Sequence, residues 1–395
     1  MKIIIINISV ALLLIFIFDV FAFLFVPDNL TNNFLSYRKS PPPNVGGRGR
    51  YPNNYFIKDH VRGFDLGRNR SGNHWVDGVT YPVWSNSLGC YDIEHTNINE
   101  YVYFAGDSFT WGYTPFEKKF GTVIERNSNT SIFKCGVTHT GQKHQLDKMI
   151  QVTKEFGKHP KALFVFYTPN DVINDHAYPQ ATIINGWLVD KVYADSENNI
   201  IKHNQADLVK KVDNVLGKIR KYRENRAKKS RLFLEIKQTL KYYSLTINLL
   251  YQIKNAVAVK HERNNNDDSK SQKTYKNVGF LPREKNGRYW FKDNPIANSN
   301  KMALLKFRDF AVKNKAELFV ILITSKDNYK NSSYYNELKE YLNNNNIKHL
   351  DLANEFVRRG IDDKTIYWDF DGHYNPSGNE ILADILMSKF PSVFK

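Results

Sequence analysis

Short apolar runs alternate with amphipathic stretches over most of the chain. Each run is of strand length and rich in β-branched and aromatic residues, whereas the stretches between the runs repeat apolar positions at helical spacing. The predicted strands are 101–105, 131–135, 162–167, 317–323 and 347–351. The predicted helices are 115–127, 143–157, 300–314, 333–345 and 376–390. Strands that alternate with helices predict an α/β fold, in which a parallel sheet carries helices on both faces.

Two stretches depart from this alternation. Residues 51–97 carry aromatic residues punctuated by Gly and Asn, and they predict short strands and turns packed on the main domain. Residues 186–299 separate the third and fourth strands and contain a hairpin near 186–203, a basic helical stretch over 205–259 and a polar stretch over 262–275. Because an insertion at this point leaves the sheet at its carboxyl edge, it is either a substrate-selecting lid or a peripheral packing element.

The longest apolar run lies at the N-terminus. Residues 3–26 are interrupted only by Asn7, Ser9 and Asp19, and a run of this length can span a bilayer. A small-x-small cleavage motif is missing before Pro27, which favours an uncleaved anchor over a signal peptide.

A linker rich in Pro and Gly follows at residues 40–50. In chain order, the predicted organisation is an anchor at 1–27, a linker and N-terminal extension at 28–97, the first part of the α/β domain at 98–185, the insertion at 186–299 and the second part of the domain at 300–395.

Composition and charge limit the classes of partner that the chain is expected to bind. The 395 residues are 42% hydrophobic and 14% aromatic, which is ample for a packed core, and the formal net charge is +16. Lys and Asn are spread over the whole chain, without the clustered basic stripe of a nucleic-acid-binding module. We therefore predict no nucleic-acid partner, although an anionic glycan or lipid headgroups fit the charge.

Cysteine usage leaves the compartment open. Cys90 and Cys135 are either one disulfide or two buried thiols. Because Cys135 lies in a predicted strand, the default interpretation for it is a small apolar thiol.

The first candidate for chemistry directly follows the first predicted strand of the domain. Gly106 ends the apolar run, and Ser108 comes two residues later. A serine on a sharp strand-to-helix turn can hold its hydroxyl above the end of a sheet, while free N–H groups of the turn point at an oxyanion. The plain alternative is an ordinary turn, since Gly, Asp and Ser all favour turns.

Other polar residues occupy equivalent places. Asn170 and Asp171 follow the apolar run 162–167, and a loop with Asp371 and His373 precedes the last helix. Since carboxyl ends of parallel strands meet in one crevice, these groups are expected to converge on Ser108.

In these blocks the chain resembles the SGNH (GDSL-type) hydrolases. The matching segments are Gly106–Thr110, Cys135–Val137 with Gly141, Asn170–Asp171 and Asp371–His373, with Asn86–Gly89 similar to the lead-in segment of exported members. The resemblance covers roughly residues 60–185 and 300–395, and it is specific in the combination of blocks. It implies a three-layer, flavodoxin-like domain with about five parallel strands.

The resemblance implies a role for each catalytic residue. Ser108 is the expected nucleophile, and His373 is the base that takes its proton. The family acid usually stands three residues before the histidine, where this chain has Phe370. Asp371 and Asp369 are therefore both candidates to orient the imidazole, and we favour Asp371.

The expected oxyanion donors are the backbone N–H of Ser108, the side-chain amide of Asn170 and the backbone N–H of His139. An Asx turn is the alternative for Asn170, and helix capping or packing is the alternative for His373. His139 stands where the family has a glycine, and its side chain is expected to crowd the site. Because His139 and His144 lack a paired carboxylate cluster, we predict no metal and no cofactor.

Together these features predict a membrane-anchored serine esterase that removes O-acyl groups, acetyl in particular, from a small molecule or a surface polysaccharide. The alternatives are an O-acyltransferase acting on a glycan and a non-catalytic glycan-binding module with the same fold. Basic residues after the apolar run, such as Arg38 and Lys39, would by a simple count keep the body in the cytoplasm. The position of the run and the resemblance to exported members favour a periplasmic or extracytoplasmic body.

Overall fold

The computed structural model describes residues 7, 10, 13–19, 51–52, 54–76, 79–194, 200–210, 212–214, 216–217, 246, 288–369 and 371–394. The chain divides into two compact units. One consists of Met1–Pro43 with Asn214–Thr274, and the other of Asn44–Asp213 with Tyr275–Lys395.

The larger unit contains all the described strands. In chain order they are β1 (Phe56–Asp59), β2 (Gly63–Leu66), β3 (Ser71–Val76), β4 (Val79–Trp84), β5 (Val102–Gly106), β6 (Ile132–Lys134), β7 (Ala162–Tyr167), β8 (Ala181–Ile184), β9 (Trp187–Asp190), β10 (Val192–Ala194), β11 (Ile200–Lys202), β12 (Glu317–Leu322) and β13 (Lys348–Asp351). The helices of this unit include α1 (Ser108–Trp111), α2 (Phe120–Asn127), α3 (Gln142–Phe156), α4 (Asp171–His176), α5 (Asn298–Lys313), α6 (Asn336–Asn344), α7 (Leu352–Arg358), α8 (Asp363–Ile366) and α9 (Pro376–Lys389). The described residues 205–210 and 212–213 are also helical.

Five of these strands form one parallel sheet in the order β13-β12-β7-β5-β6. Counted within the sheet by chain position, this is the flavodoxin-like order 2-1-3-4-5, so the predicted fold class is confirmed. The order reverses between β5 and β7, and the carboxyl ends of these two strands border a crevice.

Helices cover both faces of the sheet, as predicted. α3, α5 and α6 pack on one face through apolar side chains that include Leu146, Leu304 and Leu338. α2, α7 and α9 pack on the other face through a second core that includes Ile124 and Leu382. The strands are continuous apolar runs because both faces of the sheet are buried.

The region before the first core strand is also as expected. β1 pairs with β2, and β3 pairs with β4, in short antiparallel hairpins. Their aromatic residues form a third core with Trp111 and Tyr113, which follow the candidate nucleophile. This N-terminal extension therefore packs directly against the candidate site.

The helix predicted over 115–127 differs in detail. A short 3-10 turn, Phe116–Lys118, precedes α2, and the two are separated by Lys119 in an extended conformation. The side chain of Lys119 is buried, and its Nζ donates to the carbonyl of Tyr91 at 2.8 Å. This buried contact lies at the break between the 3-10 turn and α2.

The expectation of a thiol at Cys135 is wrong. Cys90 and Cys135 form a disulfide, with their Cα atoms 4.5 Å apart. Cys135 lies just past the end of β6, where its side chain can reach the loop that follows the N-terminal hairpins. The separation of 45 residues along the sequence did not reveal that the two cysteines lie close together in the fold.

The insertion is described only in part. Hairpins β8–β9 and β10–β11 occupy the start of the region, and the first of them begins at Ala181, earlier than the expected hairpin near 186–203. Most of the predicted helical stretch 205–259, all of the polar stretch 262–275 and the linker 40–50 lie outside the described residues. At the far end, Tyr289 and Phe291 are buried in the core below α5, so this part packs with the α/β domain.

Most of the predicted anchor, 1–27, likewise lies outside the described residues. No helix that the structure describes combines the length and apolar character needed to cross a membrane. In the smaller unit, Asp19 Oδ1 accepts hydrogen bonds from the backbone N and the Oγ1 of Thr246, at 2.9 and 2.7 Å. The anchor stays a prediction.

Candidate active site

Ser108 lies at the point where β5 turns sharply into α1. Gly106 is the last residue of β5, and Ser108 is the first of the four-residue helix α1. Asp107 caps this helix, because its Oδ1 accepts from the backbone N of Phe109 at 3.0 Å. The Ser108 side chain is thus held above the carboxyl end of the sheet, at the border of the crevice.

His373 reaches the same place from the opposite end of the chain. Its Nε2 lies 2.7 Å from Ser108 Oγ. The loop that carries it is closed by a hydrogen bond from the backbone N of Trp368 to the His373 carbonyl at 3.0 Å, and by an antiparallel bridge between Tyr367 and Tyr374. The His373 ring points at Ser108 and therefore does not cap the following helix.

Asp371, and not Asp369, holds the imidazole. Asp371 Oδ1 is hydrogen-bonded to His373 Nδ1, and it also accepts from the backbone N of His373 at 3.0 Å. The Asp371 side chain is buried, whereas Asp369 is exposed and its backbone carbonyl accepts from Lys326 Nζ at 3.1 Å. The tight turn over Gly372 therefore lets a carboxylate two residues away reach the ring nitrogen.

Asn170 stands directly before α4, but its side chain does not cap that helix. Its Nδ2 instead donates to Asp107 Oδ2 at 3.3 Å. The structure thus brings Asn170 beside the nucleophile, across the crevice between β5 and β7. The Asx turn that the sequence allowed is not formed with α4.

His139 has a left-handed backbone conformation, with φ of +64°. Its Nε2 is hydrogen-bonded to Asp190 Oδ1 of β9 at 2.8 Å, and its carbonyl accepts from Gln180 Nε2. Its side chain is therefore tied to the hairpin that follows α4. The proposed use of its backbone N–H as an oxyanion donor stays a prediction.

The other candidate metal ligand, His144, is fully buried on α3. Its Nε2 lies 2.8 Å from the carbonyl of Phe64, and burial lowers its pKa to about 4. Within the described ranges, no group of three or more His, Cys, Asp or Glu side chains is placed to hold a metal ion.

Sequence reasoning missed the aromatic surroundings of the histidine. The Tyr113 ring stacks on the imidazole of His373, with centroids 3.7 Å apart and an angle of 1° between the planes. Trp368 Nε1 fixes this segment by donating to the Tyr113 carbonyl at 2.7 Å, and the Tyr113 hydroxyl lies 2.5 Å from that of Tyr51. The available signal was the run of aromatic residues just after Ser108.

Sequence reasoning also missed a buried polar network below the nucleophile. Thr168 Oγ1 lies 2.9 Å from Asp107 Oδ2 and 3.0 Å from Asp171 Oδ1. Asp171 Oδ2 accepts from Gln142 Nε2 at 2.5 Å, and Asp175 accepts from the backbone N of Lys143 at 2.8 Å. These contacts give Asp171 the role of organising the loop after β7.

Burial dominates the electrostatics of these carboxyl groups. It raises the pKa of Asp175 to about 7, although hydrogen bonds from Lys143 N and Asn300 act against the rise. It also raises the pKa of Asp171 well above the usual range, and the charge of Asp107 acts in the same direction. Neighbouring carboxyl groups whose pKa values are raised by burial are typical of functional sites.

Among the comparisons with known proteins, only the search of solved structures found a likeness, and it is weak. No protein-family model matches the chain, and no curated protein sequence matches it. Among solved structures, the crystal structure of the lipase/acylhydrolase from Enterococcus faecalis is similar at 9% sequence identity and a TM-score of 0.36. The match covers 75% of this chain and 98% of that chain. At this TM-score the likeness says nothing about function.

Proposed function

We propose that this chain is a serine esterase that removes O-acyl groups, acetyl in particular, through an acyl-enzyme intermediate. The observation that carries the proposal is the hydrogen-bonded series from Ser108 Oγ to His373 Nε2, at 2.7 Å, and from His373 Nδ1 to Asp371. A nucleophile, a base within reach and an acid that orients the base are the parts that serine catalysis requires.

Each group has a defined task in the proposed reaction. Ser108 Oγ attacks the ester carbonyl carbon while its proton moves to His373 Nε2. Asp371 keeps the imidazole in the tautomer that accepts at Nε2, and it stabilises the imidazolium. The leaving alcohol takes the proton from Nε2, and a water molecule then repeats the attack on the acyl-enzyme.

The carbonyl oxygen becomes an oxyanion in this reaction and needs donors. The backbone N–H of Ser108, at the start of α1, and the amide of Asn170 are the proposed donors, with the backbone N–H of His139 as a third. Loss of one such donor typically lowers kcat by about 10²- to 10³-fold.

Labelling with a fluorophosphonate probe tests the nucleophile. The wild-type chain should be labelled on Ser108, and Ser108→Ala should abolish labelling. Ser332→Ala is the matched control, because Ser332 is exposed in a loop remote in sequence from every block of the site. Labelling that survives Ser108→Ala would refute the assignment of the nucleophile.

Product analysis separates the hydrolase from its alternatives. Incubation with p-nitrophenyl acetate and a sugar acceptor should release acetate if water is the acceptor, whereas an acetylated sugar would identify an O-acyltransferase. A chain that is neither labelled nor active on any acyl ester or acylated glycan, yet binds glycans, would be the non-catalytic module.

We also propose that the N-terminal run anchors an exported body to the membrane. The described side chains of Leu13, Leu14 and Phe16–Phe18 are exposed, as expected for a segment that contacts lipid. The two hydrogen bonds from Thr246 offset part of the cost of placing Asp19 in an apolar medium. The disulfide between Cys90 and Cys135 is typical of an oxidising compartment.

Fractionation tests the anchor. The full-length protein should sediment with membranes, and deletion of residues 1–40 should release an active body into the soluble fraction. Full-length protein that remains soluble without detergent would contradict the anchor, and protection of the body from protease added outside the membrane would contradict export.

A further inference from the structure

The hydroxyl group of Thr168 lies between two buried carboxyl groups. Its Oγ1 is 2.9 Å from Asp107 Oδ2 and 3.0 Å from Asp171 Oδ1, and all three side chains are almost fully buried. A threonine hydroxyl has one proton to donate. If both carboxyl groups were ionised, one of these two short contacts would join oxygen atoms without a proton between them. One carboxyl group must therefore be protonated.

The surrounding N–H groups indicate which carboxyl group carries the proton. Both oxygens of Asp107 accept from N–H donors, Oδ1 from the Phe109 backbone at 3.0 Å and Oδ2 from Asn170 Nδ2 at 3.3 Å. Asp171 Oδ2 likewise accepts from the Thr168 backbone N at 2.9 Å and from Gln142 Nε2 at 2.5 Å. Asp171 Oδ1 faces the Thr168 hydroxyl, so the proton fits on this oxygen.

Electrostatics agrees with that assignment. Burial raises the pKa of Asp171 well above its ordinary range, and the charges of Asp107 and Asp175 add to the rise, whereas the bonds from Thr168 N and Gln142 act against it. Burial also raises the pKa of Asp107, but the bond from the Phe109 N–H, the charge of His373 and the bonds from Thr168 and Asn170 act against that rise. The neighbouring charges thus distinguish the two groups, since that of His373 favours the ionised form of Asp107, whereas those of Asp107 and Asp175 oppose ionisation of Asp171.

We propose that Asp107 is an ionised positioning residue that fixes the amide of Asn170 with Nδ2 toward the nucleophile, and that Asp171 stays protonated so that Thr168 donates to Asp107. This rests on the proposed esterase function, because Asn170 is a catalytic residue only there. Asp171 Oδ1–H donates to Thr168 Oγ1, Thr168 donates to Asp107 Oδ2, and Asp107 Oδ2 accepts from Asn170.

The consequence for catalysis follows from the shape of an amide. A carboxamide can turn over so that its oxygen takes the place of its nitrogen, which would point a lone pair at the oxyanion. An ionised Asp107 accepts hydrogen bonds only, so it rejects the Asn170 oxygen and retains the nitrogen. One N–H of Asn170 then binds Asp107, and the other remains for the oxyanion. The negative charge of Asp107 also favours the imidazolium form of His373.

Two isosteric substitutions distinguish the carboxyl groups by kinetics with p-nitrophenyl acetate. Asp171→Asn should keep kcat within about threefold, because the new N–H can replace the carboxyl O–H toward Thr168 while the amide oxygen accepts from Thr168 N and Gln142. Asp107→Asn should lower kcat by about tenfold to a hundredfold with little change in KM, since one amide cannot accept from both Phe109 N and Asn170.

A double-mutant cycle shows whether Asp107 acts through Asn170. Asp107→Asn should cost kcat far less in an Asn170→Ala background than in the wild type, because the group it positions is already gone. Full additivity would overturn the positioning role. If Asp107→Asn does not fold, Thr168→Val provides the second test: it keeps the shape, removes the hydroxyl and should lower kcat several-fold, and an unchanged kcat would contradict the coupling.

Infrared spectroscopy tests the protonation pattern without a substrate. The difference spectrum of wild type minus Asp171→Asn at neutral pH should contain the C=O band of a protonated carboxylic acid. Carboxylate bands in its place would overturn the assignment of the proton to Asp171. Wild-type protein without esterase activity would overturn the proposed function and the positioning role together. An active wild type whose kcat survives Asp107→Asn would overturn the positioning role alone.

Discussion

The two loops that form the candidate site are held in different ways. The nucleophile loop, residues 106–113, is fixed from below by the carboxyl group of Asp107, which Thr168 and Asn170 contact from the end of β7. The histidine loop, residues 368–375, is closed on itself by the bond between Trp368 N and the His373 carbonyl. One loop is held through the buried carboxyl group of Asp107, whereas the other combines a local turn with two contacts to Tyr113, the ring stack on His373 and the bond from Trp368 Nε1 to the Tyr113 carbonyl.

Packing around a glycine in each region shows the same contrast. A Cβ on Gly136, which lies against the nucleophile loop, would come within 2.4 Å of the backbone N of Trp111 and 2.6 Å of the carbonyl carbon of Thr110. A Cβ on Gly372 in the histidine loop would meet nothing within 4 Å. Electrostatic stabilisation of an oxyanion requires donors that are fixed in advance, and the tightly packed loop carries one of the proposed donors, the backbone N–H of Ser108.

The largest expected effect is on rate and comes from the histidine loop. Asp371→Asn should lower kcat for p-nitrophenyl acetate by about 10⁴-fold, because an amide can hold the imidazole in the wrong tautomer. Asp369→Asn is the matched control and should keep kcat within about threefold, since that side chain is exposed. The thermal midpoint should hardly change in either variant. If Asp369→Asn lowers kcat strongly and Asp371→Asn does not, the assignment of the acid would be reversed.

The second largest expected effect is on the free energy of unfolding, and it comes from Gly136, which packs against the nucleophile loop. Gly136→Ala should lower the free energy of unfolding by about 3 kcal/mol, because the new methyl group meets backbone atoms that cannot yield. Gly372→Ala should change it by less than about 0.5 kcal/mol, as an unobstructed surface substitution does. Chemical denaturation of both variants measures the difference. Equal losses would show that the two loops are packed alike.

The third expected effect depends on pH and concerns α3, whose first residue, Gln142, donates to Asp171 in the network below the nucleophile. The pKa of His144 is lowered by burial from 6.5 to about 4, so between these values the unfolded chain binds a proton that the folded protein excludes. Its contribution to stability is therefore complete above about pH 6.5 and decreases as the pH falls, by up to about 3 kcal/mol near pH 4.

Unfolding free energies measured from pH 7 to pH 4 test this expectation. His144→Gln retains a donor for the Phe64 carbonyl but does not titrate, so its stability should fall less steeply with decreasing pH than that of the wild type. Parallel curves for the two proteins would show that His144 carries no such proton linkage.

The smallest effect concerns the stacked ring over His373. Tyr113→Leu should lower kcat by about fivefold, because it removes an aromatic contact of about 1 kcal/mol that orients the imidazole and favours its charged form. Tyr113→Phe keeps the ring, loses only the hydroxyl beside Tyr51 and should stay within about threefold of wild type. Similar losses in both variants would assign the effect to the hydroxyl group instead.

Much of the scaffold follows from local pattern. The strand predicted at 162–167 matches β7 residue for residue, and the helix predicted at 376–390 matches α9 to within one residue at its end. Ser108, Asn170 and His373 could be chosen because each follows a strand or precedes a helix, and the ends of parallel strands share one edge. The helix at 115–127 was less accurate, because the chain is extended at Lys119, whose side chain is buried against Tyr91.

The sequence by itself therefore determined the order of strands and helices, the class of fold and the residue types at the edge of the sheet. These depend on continuous apolar runs in strands that are buried on both faces and on burial near period 3.6 in helices, which a linear sequence records directly. Only the tertiary structure brought Asp371 and not Asp369 to the His373 ring, joined Cys90 to Cys135, stacked Tyr113 on His373 and placed Thr168 between two carboxyl groups. Each of these depends on the curvature of a loop or on contacts between distant segments, and residue spacing along the chain does not encode such distances.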